Sequence, residues 1–251
     1  MAFHKTLALA ASVFTASAAQ AAIFSIPAVL EDYEAHRQAD TGALAVSNGV
    51  SGSLRVGSRT LGATGTVSTP IFPFALPEIP AGEEIVSATF SVVTNSQTAN
   101  LPVANADLYG LPFDAAPVDQ LTSRYFTGSN DTTAGVNKLE DDFLVPSDVS
   151  GTKTRYTSVD ISSYIASLYT SGAVSGDLAI LRLSYDTDAI SLVAHNRFEV
   201  RSRQASSAAE NPEAEWPLLV ITTAAAVPEP ATFSALAIGS LGLLARRRRG
   251  A

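Results

Sequence analysis

The stretch Ile85-Val-Ser-Ala-Thr-Phe-Ser-Val-Val93 alternates apolar and polar side chains. Val86, Ala88, Phe90 and Val92 face one way, and Ser87, Thr89 and Ser91 the other, the period-2 pattern of a half-buried strand. "FEVRSR" repeats it, with Phe198 and Val200 inward and Glu199, Arg201 and Arg203 outward. "DLAILRLSYD" begins apolar on both faces and then alternates, as a central strand does. "WPLLVITT" is a last run rich in branched residues. Further strands are expected near 43–47, 53–57, 70–76, 104–111, 122–127 and 154–160, separated by turn clusters such as "ALPEIPAGEE" and "TGSNDTTAG". Many short strands between such turns predict an all-β fold, a jelly-roll-like antiparallel β-sandwich.

Two stretches carry helical spacing instead. In "VDISSYIASLYTSG" the residues Ile161, Ile165 and Leu168 share one helix face, which predicts a short helix near 161–170. Asp160 or Ser162 is placed to cap its start and Gly172 to end it. In "AVLEDYEAHRQ", Leu30, Tyr33 and Arg37 also share a face, which predicts one helical turn there.

The chain has no cysteine, which excludes disulfides, thiolate metal sites and cysteine nucleophiles. A fold of this length without covalent staples rests on its hydrophobic core. Charge is unevenly spread. Residues 23–227 hold 11 basic and 23 acidic residues, a net charge of −12, whereas Lys5 and Arg246 to Arg249 sit at the extremes. Such an acidic body repels phosphate backbones, so nucleic acid is excluded as a partner and a cation or a neutral sugar suits it better.

Both ends read as addresses. Lys5, the apolar stretch from Thr6 to Ala16 and the small residues Ala19 and Ala21 follow the order of a secretory signal peptide. Cleavage after Ala21 is expected, with Ala19 as the alternative. At the other end, Ala231 to Ala245 is uncharged. As a transmembrane helix, 231–245 would span roughly 22 Å, short of a ~30 Å hydrocarbon core and so a transient hold rather than a permanent anchor. Arg246, Arg247, Arg248 and Arg249 would stop it on the cytoplasmic side. The expected organisation is therefore a signal peptide at 1–21, a sandwich at 22–226 and a processed tail at 227–251.

The tail motif Val227-Pro228-Glu229-Pro230, with the apolar run and basic cluster behind it, resembles a PEP-CTERM sorting signal. The resemblance implies recognition by an exosortase, a membrane protease of Gram-negative bacteria that make extracellular polysaccharide. Those four residues would be substrate, not catalyst. It further implies inner-membrane tethering before processing, and then the cell surface or extracellular space. The body resembles the DNRLRE or disaggregatase-related sandwich, a carbohydrate-binding-module-like domain, over about residues 50–223. The matching positions are Ile85 to Phe90, Val159-Asp160, Phe198 to Arg203 and Pro217 to Val220, with two extra residues between Phe198 and Ser202. That likeness implies polysaccharide binding and no catalysis.

Catalytic signals are sparse. Of three histidines, His4 lies in the leader, leaving His36 and His195. His195 follows Asp186 and Asp188, yet no G-x-S-x-G elbow accompanies it. No catalytic residue is assigned. Asp186 and Asp188, the acidic run Glu140-Asp141-Asp142 and the Asn130-Asp131 turn are candidate oxygen ligands for calcium, although no D-x-D-x-D-G loop is present. No other cofactor is indicated. Sugar-stacking candidates are Tyr109, Tyr125, Phe126, Tyr156, Tyr185 and Trp216, with Trp216 expected to plug one end of the sandwich. The leading expectation is a non-enzymatic surface or matrix protein that binds polysaccharide. A secreted glycan hydrolase and a calcium-dependent adhesin are the alternatives.

Overall fold

The alternating stretches pair into one antiparallel ladder that folds back on itself. The computed structural model describes residues 21–29, 33–38, 43–48, 51–61, 64–94, 104–115, 136–148, 153–186, 196–205 and 212–226. The expectations for the leader 1–20, the strand near 122–127 and the tail 227–251 lie outside the described residues.

In chain order the elements are β1 (Ile23–Pro27), β2 (Tyr33–Gln38), β3 (Leu44–Asn48), β4 (Ser51–Leu61), β5 (Thr64–Ala75), β6 (Glu83–Thr94), β7 (Ala106–Asp114), β8 (Asn137–Leu144), β9 (Thr154–Thr157), α1 (Ser162–Thr170), β10 (Leu178–Tyr185), β11 (Asn196–Ala205) and β12 (Leu218–Ala225). The main path runs β1-β12-β6-β11-β4-β5-β10-β7-β8. β5 joins the two layers. Its Thr64–Ser68 half pairs with β4 and its Ile71–Ala75 half with β10. Pro70, which has no N–H to donate, sits between these two pairings and opposite Glu34 of β2.

The layers close over one core. β4, β6, β11 and β12 contribute Leu54, Phe90, Phe198 and Leu219, and β5, β7, β8 and β10 contribute Phe72, Leu108, Phe143 and Leu181, all buried. β10 is buried along its whole length. Ala179, Leu181 and Leu183 face this core, whereas Leu178 and Ile180 face a second cluster with Ala35, Val67, Ile71 and Leu111. The double-sided apolar pattern of "DLAILRLSYD" therefore marks a central strand, as expected.

β6 departs from strict alternation at one point. Thr222 pairs with Ser87 but Thr223 pairs with Ile85, so Val86 is an extra residue, a β-bulge. Val86 is consequently 45% exposed rather than inward, while Ala88, Phe90 and Val92 are buried as expected. The helical turn expected around Tyr33 and Arg37 is also corrected. Tyr33–Gln38 is a strand held by β5 on one edge and β3 on the other. Two ladders outweigh the local spacing of three side chains.

α1 forms where its periodicity places it. Ile161, Tyr164, Ile165 and Leu168 are buried against the core. A helix of nine residues is marginal alone, so this burial, about 1.5–3 kcal/mol per large side chain, is what stabilises it. Asp160 Oδ1, one residue ahead of the N-cap Ile161, accepts the amides of Ser162 at 3.0 Å and Ala88 at 2.8 Å, so one carboxylate satisfies the first helical amide and ties the helix to β6. Gly172, at φ +104°, ends the helix. Ala173 N–H donates to Leu168 O and Gly172 N–H to Tyr169 O, each at 3.0 Å, the paired bonds of a Schellman ending.

The Tyr164 hydroxyl lies 2.8 Å from the Leu111 carbonyl oxygen and 2.9 Å from that of Ile180. Its ring passes so close to Gly110 that a Cβ there would stand 2.5 Å from Tyr164 Cε2. Gly110→Ala should therefore destabilise the fold by about 1–3 kcal/mol, read from the denaturant midpoint.

Asp160 carries a pH signature. The Ala88 amide holds its carboxyl below the usual range. A folded-state value below the unfolded one of about 3.9 means stability is present above that pH and lost as pH falls through the folded value. Asp160→Ala should cost about 1–2 kcal/mol at neutral pH. Asp160→Asn should keep most of that stability and flatten the acid limb of a pH-dependent thermal denaturation.

Candidate functional site

A carboxylate corner forms where β7 meets β8. Their ladder shifts register on both sides of Leu108. Asp142 sits at φ 58°, the left-handed region that Asp tolerates better than most residues. The result gathers Asp107, Asp141 and Asp142, with one oxygen from each within 4.8 Å of the others. Asp107 is fully buried. Its Oδ1 accepts the Asp142 amide at 3.0 Å. Lys138 Nζ lies 2.7 Å from both Asp107 Oδ2 and Asp141 Oδ1. Asn105 Nδ2 donates to Asp142 Oδ1 at 2.6 Å.

The electrostatics follow that geometry. The hydrogen bond to Asp107, joined by the one to Asp141, holds the Lys138 ammonium above its usual range. The same lysine holds the Asp141 carboxyl low. Asp186, whose amide donates to Asn105 O at 2.9 Å, is pushed up by burial first and then by the charge of Asp107. A cluster of hard oxygens with one internal ammonium has the chemistry of a cation site whose counter-ion is a side chain.

The expected calcium ligands are thus partly reassembled. Asp141 and Asp142 join Asp107, and Asp186 lies in their field. Glu140 leaves the group, because its Oε2 accepts the Val159 amide at 2.9 Å. Asn130, Asp131 and Asp188 lie outside the described residues. Asp107 was missed by sequence reasoning; the signal was a lone acid inside the apolar run "ANADLYGL".

The serine and the acid beside His36 are not placed as a relay. His36 Nδ1 lies 3.0 Å from Ser68 Oγ and 3.3 Å from Glu34 Oε1, so serine and acid meet the same ring nitrogen. A triad needs them on opposite nitrogens. His195 lies outside the described residues.

Among the aromatic candidates, Tyr109 and Tyr185 are each 2% exposed and belong to the cores. They offer no open face to a sugar. Tyr125 and Phe126 lie outside the described residues. Tyr156 is half-buried, as is Trp216. Trp216 stands beside β12, with the Arg203 guanidinium 4.8 Å from its ring centre, and it lines a cavity.

Both ends of the sandwich leave from one place. Thr223 N–H donates to Ala22 O at 2.9 Å, and Ala226 N–H donates to Gly82 O at 2.9 Å. The expected cleavage point at Ala21 and the start of the tail therefore lie at the same end of β12. Ala19, the motif Val227 to Pro230 and the cluster Arg246 to Arg249 lie outside the described residues. Among the described residues no helix is long and apolar enough to cross a membrane, and the expected span 231–245 is not among them.

Comparison with known families matches residues 226–249 to the PEP-CTERM protein-sorting motif. That motif implies export, membrane-anchored processing and an exosortase as the processing partner. No curated protein matches the chain. The likeness of the body to the DNRLRE or disaggregatase-related sandwich rests on its residue pattern alone.

Lys138→Met removes the cation from a fully buried carboxylate and should cost roughly 2–3 kcal/mol. Calcium titration of that variant, followed by its melting temperature, tests the corner. Recovery at millimolar calcium identifies a divalent-ion site, and no recovery leaves the lysine as the only counter-ion that the corner accepts.

Proposed function

We propose that this chain is a non-enzymatic component of the cell surface or extracellular matrix, delivered by its sorting tail, where its acidic sandwich binds polysaccharide. One observation carries the delivery half. The motif at 226–249 begins one residue after β12 ends at Ala225, so a cut beside the prolines removes the tail without removing a strand. Edge strand β1 pairs with β12 from Ile23 to Pro27, leaving a leader cut after Ala21 equally clear of the sheet.

The binding half is supported by the charge of the body and by the likeness to carbohydrate-binding sandwiches. A net charge of −12 over residues 23–227 keeps polyanions away and leaves neutral glycans as partners. The carboxylate corner favours a second reading, a calcium-dependent adhesin, in which Asp107, Asp141 and Asp142 hold the ion.

The test is mass spectrometry of the protein made in an exosortase-bearing host. The expected product begins at Ala22 and ends before Arg246. Glu229→Ala should accumulate in the membrane fraction, untrimmed. A secreted chain that still carries all four arginines overturns the sorting route. Co-sedimentation with the host's extracellular polysaccharide, without release of reducing ends, tests the non-enzymatic binding role.

A further inference from the structure

Trp216 opens onto a partly enclosed cavity of about 220 Å3 lined by Ser25, Pro27, Arg155, Glu213, Ala214 and Leu218. We infer that this cavity is the subsite that takes one neutral sugar ring of a glycan, which rests on the polysaccharide-binding reading above and gives it a place.

Its walls are held before any ligand arrives. Arg155 Nη1 donates to Ser91 Oγ at 2.7 Å, and Nη2 donates to the carbonyls of Ala214 at 2.5 Å and Trp216 at 3.1 Å. This clamps the 212–217 turn onto β9. Glu215 is gripped from the other side by Lys153 at 2.8 Å and Arg201 at 2.8 Å. Arg203 stacks on the Trp216 ring and donates to Ala28 O at 2.6 Å. Walls fixed in this way lose little freedom on binding.

The lining has two characters. Trp216, Pro27 and Leu218 supply apolar surface. Two charged residues line it and have hydrogen-bonding capacity to spare. Arg155 uses three of its five N–H groups, so its Nε–H and one Nη1–H have no partner among the described residues. The Glu213 carboxylate has no hydrogen-bond partner among the described residues and is exposed. Ser25 adds a hydroxyl from the outer face of β1.

Charge selects the ligand class. An anion would meet Glu213, and a cation would meet Arg155. A neutral polyhydroxylated ring meets neither penalty. Its C–H face covers the indole, proline and leucine, and its hydroxyls both accept from the guanidinium and donate to the carboxylate. The volume is below the ~300–1,000 Å3 of pockets that hold drug-sized ligands, which fits one ring of a chain rather than a whole oligomer.

Trp216 is the sole tryptophan in the chain, so tryptophan fluorescence reports this cavity alone. The full chain in detergent is titrated with trimers of glucose, mannose, xylose and N-acetylglucosamine, and with trigalacturonate as the charged control. A saturable change with at least one neutral trimer is expected. Glu213→Gln should weaken it about tenfold, and Ser25→Leu, which fills the cavity from an exposed strand position, should abolish it. The same variants are tested for co-sedimentation with extracellular polysaccharide. If wild type and both variants co-sediment equally and the fluorescence never moves, this subsite is wrong and the binding role stands. If nothing co-sediments and nothing titrates, both fall. A response to trigalacturonate alone overturns the neutral class.

Discussion

Phe90 is the contact on which the two layers depend. It projects from β6 and meets Phe72 at 5.4 Å and Phe74 at 5.9 Å, both from β5, and Phe143 of β8 at 5.7 Å. Each aromatic pair contributes about 0.5–1.5 kcal/mol beyond its buried area, so three together match the 2–4 kcal/mol typical of one disulfide. A chain without cysteine needs such a staple, and here it is assembled from phenyl rings. The same strand organises its surroundings. Its outer edge takes β9 and the helix start through Ser158 and Asp160, and its other edge takes β12. Ser91, three bonds' reach from that hub along β6, is the anchor for Arg155, so the Trp216 cavity inherits its position from the strand that closes the core.

The acidic balance of the body conceals local neutrality. Four of the buried or half-buried acids are met by a base: Glu34 by Arg55, Asp107 by Lys138, Glu199 by Arg197 and Glu215 by both Lys153 and Arg201. Burying such pairs costs desolvation, so their value lies in fixing register and turn geometry rather than in stability alone. The unneutralised negative charge is left to the outer surface. There it sets a long-range preference against polyanions.

The strands were readable because sheet burial imposes a period of two on the residues themselves. Phe198, Val200, Leu219 and Ile221 follow it into the core without exception. Reading failed where tertiary pairing rather than local pattern decides. Tyr33 to Gln38 has helix-like spacing, yet two neighbouring strands claim its backbone. Val86 obeys the alternation on paper, yet one extra residue relative to β12 turns it outward. The carboxylate corner was half visible: the acids of "EDD" were conspicuous, but the bulged pairing that separates Glu140 from Asp141 and Asp142 and adds Asp107 belongs to no linear pattern. Tyr109 and Tyr185 show the same limit, since an aromatic in a strand carries no mark of which face is covered.

The start of the sorting motif and the Trp216 cavity lie at opposite ends of β12. The tail leaves after Ala225, and the cavity begins at Leu218, the first residue of the same strand. Eight residues at about 3.3 Å each separate them by roughly 25 Å. β1 runs antiparallel beside it, so Ile23 lies near the tail while Ser25 and Pro27 reach toward the cavity. A precursor held by its tail would carry the junction against the bilayer and the cavity at the far end of the strand, facing away from the lipid. On the proposed reading, a glycan could be held there without prior release, and cutting the tail would change where the sandwich goes without altering the cavity.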